Sequence, residues 1–112
     1  MRINLPLRAV SVNSYLKHSR RGAYLSKRGR KFREDVREII KDCQPTSKTL
    51  EVRLDFIFSS KRELDVDNYI KATLDACNGF LWEDDKQIKR VIAEKFTNSE
   101  INAITIEYKI ID

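Results

Sequence analysis

The sequence predicts an α+β domain in the order βαβαββ, with two helices packed on one face of a mixed four-stranded sheet. Three observations lead to this fold class. Apolar and polar residues alternate over residues 50–58, apolar residues recur at helical spacing after Ser26, and two further alternating segments close the chain. Because a chain of 112 residues can bury one core, residues 1–112 are expected to form a single domain.

The first half of the chain is predicted to contain one strand and one helix. Alternating apolar residues favour a strand at residues 2–8, in which Pro6 suits an edge position. A basic loop is expected to follow, through about Leu25. Ser26 can then cap a helix that ends before Pro45. The residues expected on the buried side of this helix are Phe32, Val36, Ile39, Ile40 and Cys43.

The second half is predicted to contain three strands and one helix. The alternation over residues 50–58 is the clearest strand pattern in the sequence, and a helix is expected at residues 66–78. The last two segments, residues 87–96 and 102–111, are predicted to pair as a hairpin around residues 97–100.

The composition is typical of an ordered globular domain. No apolar run approaches the roughly 20 residues that a membrane span requires, and the N-terminus lacks the features of a secretory signal. We therefore expect no membrane partner and a cytoplasmic location. Cys43 and Cys77 cannot form a four-ligand zinc site with the single histidine, His18. Both thiols are expected to be reduced, and a single disulfide between them is the alternative.

Positive charge is concentrated in the first half of the chain. Residues 1–50 contain thirteen Lys or Arg against four acidic residues, whereas residues 51–112 contain nine against thirteen. Residues 17–33 contain no acid at all, which is typical of a surface that contacts phosphates, although a solubilising helix has the same composition. The residues expected to contact DNA in this stretch are Lys17, Arg20, Arg21, Lys27, Arg28 and Arg30.

Two groups of acidic residues supply candidate metal ligands. Asp65 and Asp67 stand where the second predicted helix begins, and Lys71 follows Asp67 by one helical turn. Residues 83–85 form a second acidic cluster after that helix. Carboxylates without imidazole or thiolate ligands favour Mg²⁺ or Mn²⁺, and such ions support phosphodiester hydrolysis. Lys71 could stabilise the charge that develops on the phosphate.

A purely structural interpretation fits the same spacing. Asp65 can cap the helix, and Asp67 can interact with the positive end of the helix dipole. Lys71 can pair with Asp67 or with Asp75, and Asp84 and Asp85 can be turn residues. Spacing alone leaves both interpretations open.

Longer motifs surround these acidic residues: DVDNYIKA at residues 65–72 and GFLWEDDKQI at residues 79–88, with weaker support from SVNSY at residues 11–15. Over nearly the whole chain, the sequence resembles the RusA-type Holliday-junction resolvases encoded by bacteria, prophages and phages.

The resemblance implies a Mg²⁺-dependent endodeoxyribonuclease, with Mn²⁺ as a substitute, that acts in DNA recombination and repair. By this resemblance Asp65, Asp67 and Asp85 are catalytic, metal-binding carboxylates, and Lys71 is the catalytic basic residue. The choice of Asp85 over Asp84 rests on alignment with the family motif. The resemblance also implies a homodimer whose two sites place symmetric nicks in a four-way DNA junction.

The sequence departs from the family pattern in three places. Residues 8–10 replace a proline-rich turn, and Cys77 replaces a leucine. Leu64 stands where a basic residue often precedes the first aspartate, which removes one expected phosphate contact. Lys61 or Arg62 could supply that contact to DNA, and the sequence does not decide between them.

Two other functions fit the sequence. One is a less selective metal-dependent nuclease for branched DNA, and the other is a non-catalytic module that binds nucleic acid. A binding module has no use for several carboxylates beside its phosphate surface, because they repel the ligand unless a cation bridges them. The two nuclease functions share their catalytic residues and differ in how a dimer presents its basic surfaces.

Overall fold

Six strands and three helices form residues 1–111, the part of the chain that the computed structural model describes. Two single 3₁₀ turns, Val66–Tyr69 and Asp85–Gln87, precede α3 and β5. The elements in chain order are β1 (Arg2–Leu5), α1 (Val12–Tyr15), β2 (Leu16–Ser19), β3 (Gly22–Leu25), α2 (Lys27–Ile40), β4 (Leu50–Ile57), α3 (Ile70–Cys77), β5 (Ile88–Phe96) and β6 (Ala103–Ile110).

The main sheet is mixed and has the strand order β1-β6-β4-β5. Strand β4 is parallel to β5 and antiparallel to β6, and β1 is an antiparallel edge strand. The central position of β4 follows from its sequence, because alternate side chains along it are apolar and fully buried: Leu50, Val52, Leu54 and Phe56. The α+β class and the mixed four-stranded sheet are confirmed, and β1 ends just before Pro6, which has no N–H to donate.

The predicted hairpin between the last two strands is wrong, because β5 and β6 lie on opposite sides of β4. The connection, residues 97–102, passes the end of β4, where the N–H of Asn98 donates to the carbonyl of Ser60 at 2.7 Å. The N–H of Ser99 donates to the carbonyl of Phe58 at 3.0 Å. Six residues can span about 20 Å, which exceeds the roughly 10 Å between strands that are separated by one neighbour. The connection therefore allows either arrangement, and the stability gained by burying β4 at the centre of the sheet outweighs direct pairing of β5 with β6.

The longer helices, α2 and α3, contribute buried side chains to the same core as β4 and β6. Ser26 caps α2 as predicted, since its hydroxyl accepts the N–H of Gly29 at 2.8 Å. The helix ends at Ile40, so Cys43 lies beyond it. Ile39 was expected to be buried, but it is 44% exposed because it lies one residue off the stripe formed by every fourth residue.

The segment predicted as a basic loop contains three further elements. Helix α1 begins after Ser11, and β2 and β3 form a separate two-stranded hairpin in which Leu16 pairs with Leu25. The residues between the two strands are Arg20 and Arg21, so the tip of the hairpin is basic. The predicted order βαβαββ therefore lacked α1, β2 and β3.

Gly29 lets α2 pack directly on the backbone at the junction of α1 and β2. A Cβ atom at this position would lie 2.3 Å from the carbonyl oxygen of Tyr15. The same carbonyl accepts the N–H of Ser26 at 2.9 Å, and the hydroxyl of Ser26 donates to the carbonyl of Ser14. These contacts hold α1 and the basic hairpin in a fixed position relative to α2.

The structure also tests two expectations from composition. Cys43 and Cys77 are free thiols, as expected, and burial raises the pKa of Cys77 to about 12. Among residues 1–111, the helices are all too short or too polar to cross a membrane.

Candidate active site

The loop between β4 and α3 carries two of the predicted site residues, Asp65 and Asp67. Both are exposed, and neither has a salt-bridge partner within 4.0 Å in the described part of the chain. Asp65 occupies the capping position of the 3₁₀ turn, but its side chain makes no capping hydrogen bond. The interpretation of Asp65 as a helix cap is therefore wrong, and both carboxylates face solvent.

Asn68 links the two aspartates. Its side-chain amide donates to the carbonyl oxygen of Asp65 at 3.3 Å and to the carboxylate of Asp67 at 3.4 Å. The sequence motif contained Asn68, but no role was predicted for it. Its contacts orient the carboxylate of Asp67 relative to the loop backbone.

A largely buried glutamate fixes the base of this loop. The carboxylate of Glu63 accepts hydrogen bonds from the guanidinium of Arg8 at 2.7 and 2.8 Å and from the hydroxyl of Tyr69 at 2.5 Å. The hydroxyl of Ser60 donates to it as well. Burial raises the pKa of Glu63, but these hydrogen bonds outweigh burial and hold the pKa below its usual value. The Tyr69 hydroxyl also accepts the N–H of Leu64 at 3.2 Å, so the network reaches the residue before Asp65.

Sequence reasoning missed this network. Arg8 was noted only as a departure from the family pattern, and Glu63 and Tyr69 were given no role in the site. Arg8 is 55 residues from Glu63 in sequence, so no local spacing joins the two. Lys95 was also missed, although its ammonium group donates to the carbonyl of Leu64 at 3.0 Å.

Hydrogen bonding distinguishes Asp84 from Asp85. The carboxylate of Asp84 accepts the N–H of Lys86 at 2.9 Å and caps the following 3₁₀ turn, while the side chain of Gln87 accepts the N–H of Asp84 at 3.1 Å. Asp84 is therefore the turn residue that the structural interpretation allowed. Asp85 makes no such capping contact, which favours it as the candidate ligand.

The carboxyl group of Asp85 lies in the electrostatic field of α3. Burial and the neighbouring Asp84 raise its pKa. Of two charged side chains on α3, Lys71 lowers this pKa and Asp75 raises it, so the pKa is raised overall. Asp75 itself accepts a hydrogen bond from the hydroxyl of the buried Tyr15. Lys71 is exposed and pairs with neither Asp67 nor Asp75 within 4.0 Å, so its ammonium group is available to a ligand.

The carboxylates of Asp65, Asp67 and Asp85 have the chemistry to bind a divalent cation, but they are not close enough together to coordinate one ion in this conformation. Within residues 1–111, no three Asp, Glu, His or Cys side chains lie close enough together to hold a metal ion. Asp85 lies in the 3₁₀ turn before β5, where the charges of Lys71 and Asp75 affect its pKa, whereas Asp65 and Asp67 lie on the loop before α3. Carboxylates repel one another unless a cation neutralises them, and carboxylate oxygens are the ligands that Mg²⁺ and Mn²⁺ prefer.

The Asp85→Asn variant is expected to melt slightly above the wild-type protein at pH 7 in EDTA, because solvent screens much of the effect at this exposed position. Because the folded-state pKa of Asp85 is raised, its contribution to stability is present below the ordinary pKa and is lost as pH rises through the raised value. Ionised Asp85 therefore destabilises the fold at neutral pH, and asparagine removes that charge. Thermal unfolding checks this, with the exposed Glu100→Gln as control. A lower melting temperature for Asp85→Asn than for wild type would contradict it.

The residues predicted to contact DNA lie in three places. Lys17, Arg20 and Arg21 belong to the β2–β3 hairpin, Lys27, Arg28 and Arg30 to the start of α2, and Lys61 and Arg62 to the loop before α3. All eight are exposed. Of these, Arg28 and Arg62 line the same cavity as Leu64, which joins the basic surface to the acidic loop.

Comparison with known proteins identifies the family. The family model described as Endodeoxyribonuclease RusA matches residues 6–109. Crossover junction endodeoxyribonuclease RusA from Shigella sonnei (strain Ss046) and from Escherichia coli (strain K12) are each 32% identical to this chain over 83 residues. These matches cover 70% of this chain and 68% of each relative. Crossover junction endodeoxyribonuclease rusA of Enterobacteria phage 82 matches with the same identity and the same coverage. The chain belongs to the RusA endodeoxyribonuclease family.

Proposed function

We propose that this protein is an endodeoxyribonuclease that resolves four-way DNA junctions by phosphodiester hydrolysis. One observation carries the proposal: Asp65 and Asp67 have no ion pair with any residue in 1–111, and they lie on a loop held by hydrogen bonds, next to a cavity lined by Arg28 and Arg62. Acidic ligands beside a phosphate-binding surface are what metal-assisted cleavage of DNA requires. The names of the bacterial and phage relatives point to the same substrate.

Asp65, Asp67 and Asp85 are the residues that would hold Mg²⁺, or Mn²⁺ in its place. Bound there, the ion would supply a Lewis acid that activates water and neutralises charge on the phosphate. Asn68 holds the carboxylate of Asp67 in position, and the hydrogen bonds to Glu63 hold the loop.

Lys71 is the residue that would stabilise the negative charge developing on the phosphate during cleavage. It is exposed on the first turn of α3, and the field of its ammonium group reaches Asp85. A positive charge fixed next to the reacting phosphate favours the transition state, in which that charge is greatest.

The active form is proposed to be a homodimer. Strand β5 lies at the edge of the sheet, and it carries three apolar side chains that are unusually exposed, Val91 and Ile92 at 38% and Phe96 at 41%. A two-fold dimer would match a two-fold junction and cut two strands symmetrically. Sedimentation checks this, and a strictly monomeric protein that still makes paired nicks would contradict it.

Cleavage of three synthetic substrates of matched sequence tests the proposed function: a four-way junction, a flap and a linear duplex, each with Mg²⁺ or with EDTA. Junction resolution predicts paired nicks near the crossover that require Mg²⁺, with little cleavage of the other substrates. Equal cleavage of junction and flap would favour the less selective nuclease. Tight junction binding without cleavage at any Mg²⁺ concentration would favour the non-catalytic module.

A further inference from the structure

A cavity of about 400 Å³ lies beside the loop that leads to α3. Three elements form it: Ser11 and Ser14 come from the start of α1, Arg28 comes from the first turn of α2, and Arg62 and Leu64 come from the loop. We call this cavity the arginine pocket. Its walls meet only in the folded chain, so no local sequence motif describes it.

The arginine pocket has positive charge that no acidic side chain of residues 1–111 neutralises. Neither Arg28 nor Arg62 has an acidic side chain within 4.0 Å in the described part of the chain. One acidic side chain, Glu63, lines the pocket, but the guanidinium of Arg8 and the hydroxyl of Tyr69 already engage it. Two unpaired guanidinium groups beside a solvent-accessible cavity are suited to an anion.

Hydroxyl groups in the same wall add hydrogen-bond donors. The hydroxyl of Ser14 accepts a hydrogen bond from the hydroxyl of Ser11 at 3.3 Å, so its own proton is available to a ligand. The backbone at Ser14 is fixed because its carbonyl accepts the hydroxyl of Ser26. Guanidinium and hydroxyl donors together suit the oxygens of a phosphate.

We propose that the arginine pocket binds a backbone phosphate of the DNA close to the bond that is cut, through Arg28 and Arg62. This inference rests on the proposed nuclease function. Leu64 lines the pocket with an apolar side chain and Arg62 lines it with a charged one, whereas Lys61 is not part of its wall. Arg62 therefore supplies the phosphate contact that Leu64 cannot make, and Lys61 does not.

Junction binding in EDTA tests the pocket without any cleavage. Arg62→Ala is expected to weaken binding about tenfold and to reduce the slope of log affinity against log salt by about 0.9, the value for one phosphate contact. Lys61→Ala, next to it in the chain, removes the same charge outside the pocket and is the matched control. Its expected loss is less than twofold. Equal losses for the two variants would overturn the pocket and leave only a diffuse basic surface.

A junction with a neutral methylphosphonate at one backbone position locates the phosphate. Wild-type protein is expected to bind the junction much more weakly when the methylphosphonate occupies one position near the crossover. The same methylphosphonate is expected not to weaken binding by the Arg62→Ala variant any further. Arg28→Ala is expected to behave in the same way. Independent losses for the variant and the methylphosphonate at every position would overturn the proposal.

Failure of the pocket and failure of the proposed function give different results. Wild-type protein that cuts junctions, with Arg62→Ala binding them as tightly as wild type, would overturn the pocket alone. Wild-type protein that binds junctions in a manner dependent on Arg62 but never cuts them would overturn the nuclease function alone. Absence of any junction binding would overturn both. Since Arg28 and Arg62 are exposed, their variants are expected to keep the wild-type circular dichroism spectrum and melting temperature.

Discussion

Asp67→Asn is expected to slow junction cleavage by about a thousandfold, while junction binding in EDTA stays equal to wild type or becomes tighter. The carboxylate of Asp67 is exposed, and the amide of Asn68 is its hydrogen-bond donor. Among the described residues it has no ion pair, so no contact in the fold requires its negative charge. Asparagine keeps its shape and removes the charge that would hold a divalent cation. Loss of a negative charge beside the DNA backbone also lowers repulsion. Single-turnover cleavage and binding assays measure the two effects separately.

Asp42→Asn is the control for this experiment, because Asp42 is an exposed aspartate in the turn after α2, away from the loop. It is expected to cleave at the wild-type rate. Cleavage by Asp67→Asn within a few fold of wild type would contradict the assignment of Asp67 to the catalytic site. A loss of binding equal to the loss of cleavage would instead place Asp67 in DNA binding.

Glu63→Ala is expected to lower the free energy of unfolding by about 2–3 kcal/mol, and to weaken cleavage as well. The change leaves the guanidinium of Arg8 without its ion pair and removes the acceptor of the Tyr69 and Ser60 hydroxyls. The Arg8 side chain is 39% exposed, so water compensates for part of the loss and the effect stays below that of a fully buried pair. Urea unfolding in EDTA measures the change.

Glu100→Ala removes an exposed glutamate from the connection between β5 and β6 and is the matched control. Its free energy of unfolding is expected to stay within about 0.5 kcal/mol of wild type. Wild-type stability in Glu63→Ala would mean that Arg8, Tyr69 and Ser60 do not depend on Glu63. Wild-type cleavage by a destabilised Glu63→Ala would mean that the loop keeps its conformation without this network.

The sequence predicts the elements whose apolar pattern is long. The alternation that marks β4 and the spacing that marks α2 each extend over enough residues to define one buried face. The pairing of β5 and β6 was predicted wrongly because it depends on which strand gains most from the centre of the sheet. The strand that takes the centre is β4, which pairs with β6 although about fifty residues separate them in sequence. The sequence around β5 and β6 shows only their short connection, residues 97–102, and a short connection favours a hairpin.

The elements α1, β2 and β3 could not be predicted from their composition. Each has four residues, and they lie in a stretch dominated by arginine and lysine, so no apolar period is visible. Contacts with distant parts of the chain hold them in place. Tyr15 is buried and donates to Asp75, and Gly29 allows the backbone of α2 to approach at close range.

The candidate site is predictable where it rests on neighbouring residues. Asp65, Asp67 and Lys71 are close in sequence, and the structure places the two aspartates at the 3₁₀ turn before α3 and Lys71 in the first turn of α3. The choice of Asp85 over Asp84 required the observed cap on the 3₁₀ turn. Arg8 bonds to Glu63, and Arg28 lines a cavity with Arg62. Both pairs come from distant segments, so only the folded chain brings them together.

The most direct test of junction resolution uses a supercoiled plasmid that extrudes a single four-way junction at an inverted repeat. Paired nicks made within the lifetime of one complex convert the plasmid directly to a linear product, whereas isolated nicks release the supercoiling and give a nicked circle. Wild-type protein with Mg²⁺ is expected to give mainly linear product whose ends map to symmetric positions at the crossover. A product that is mainly nicked circle, or cleavage of a plasmid without the inverted repeat at the same rate, would contradict junction resolution by this protein.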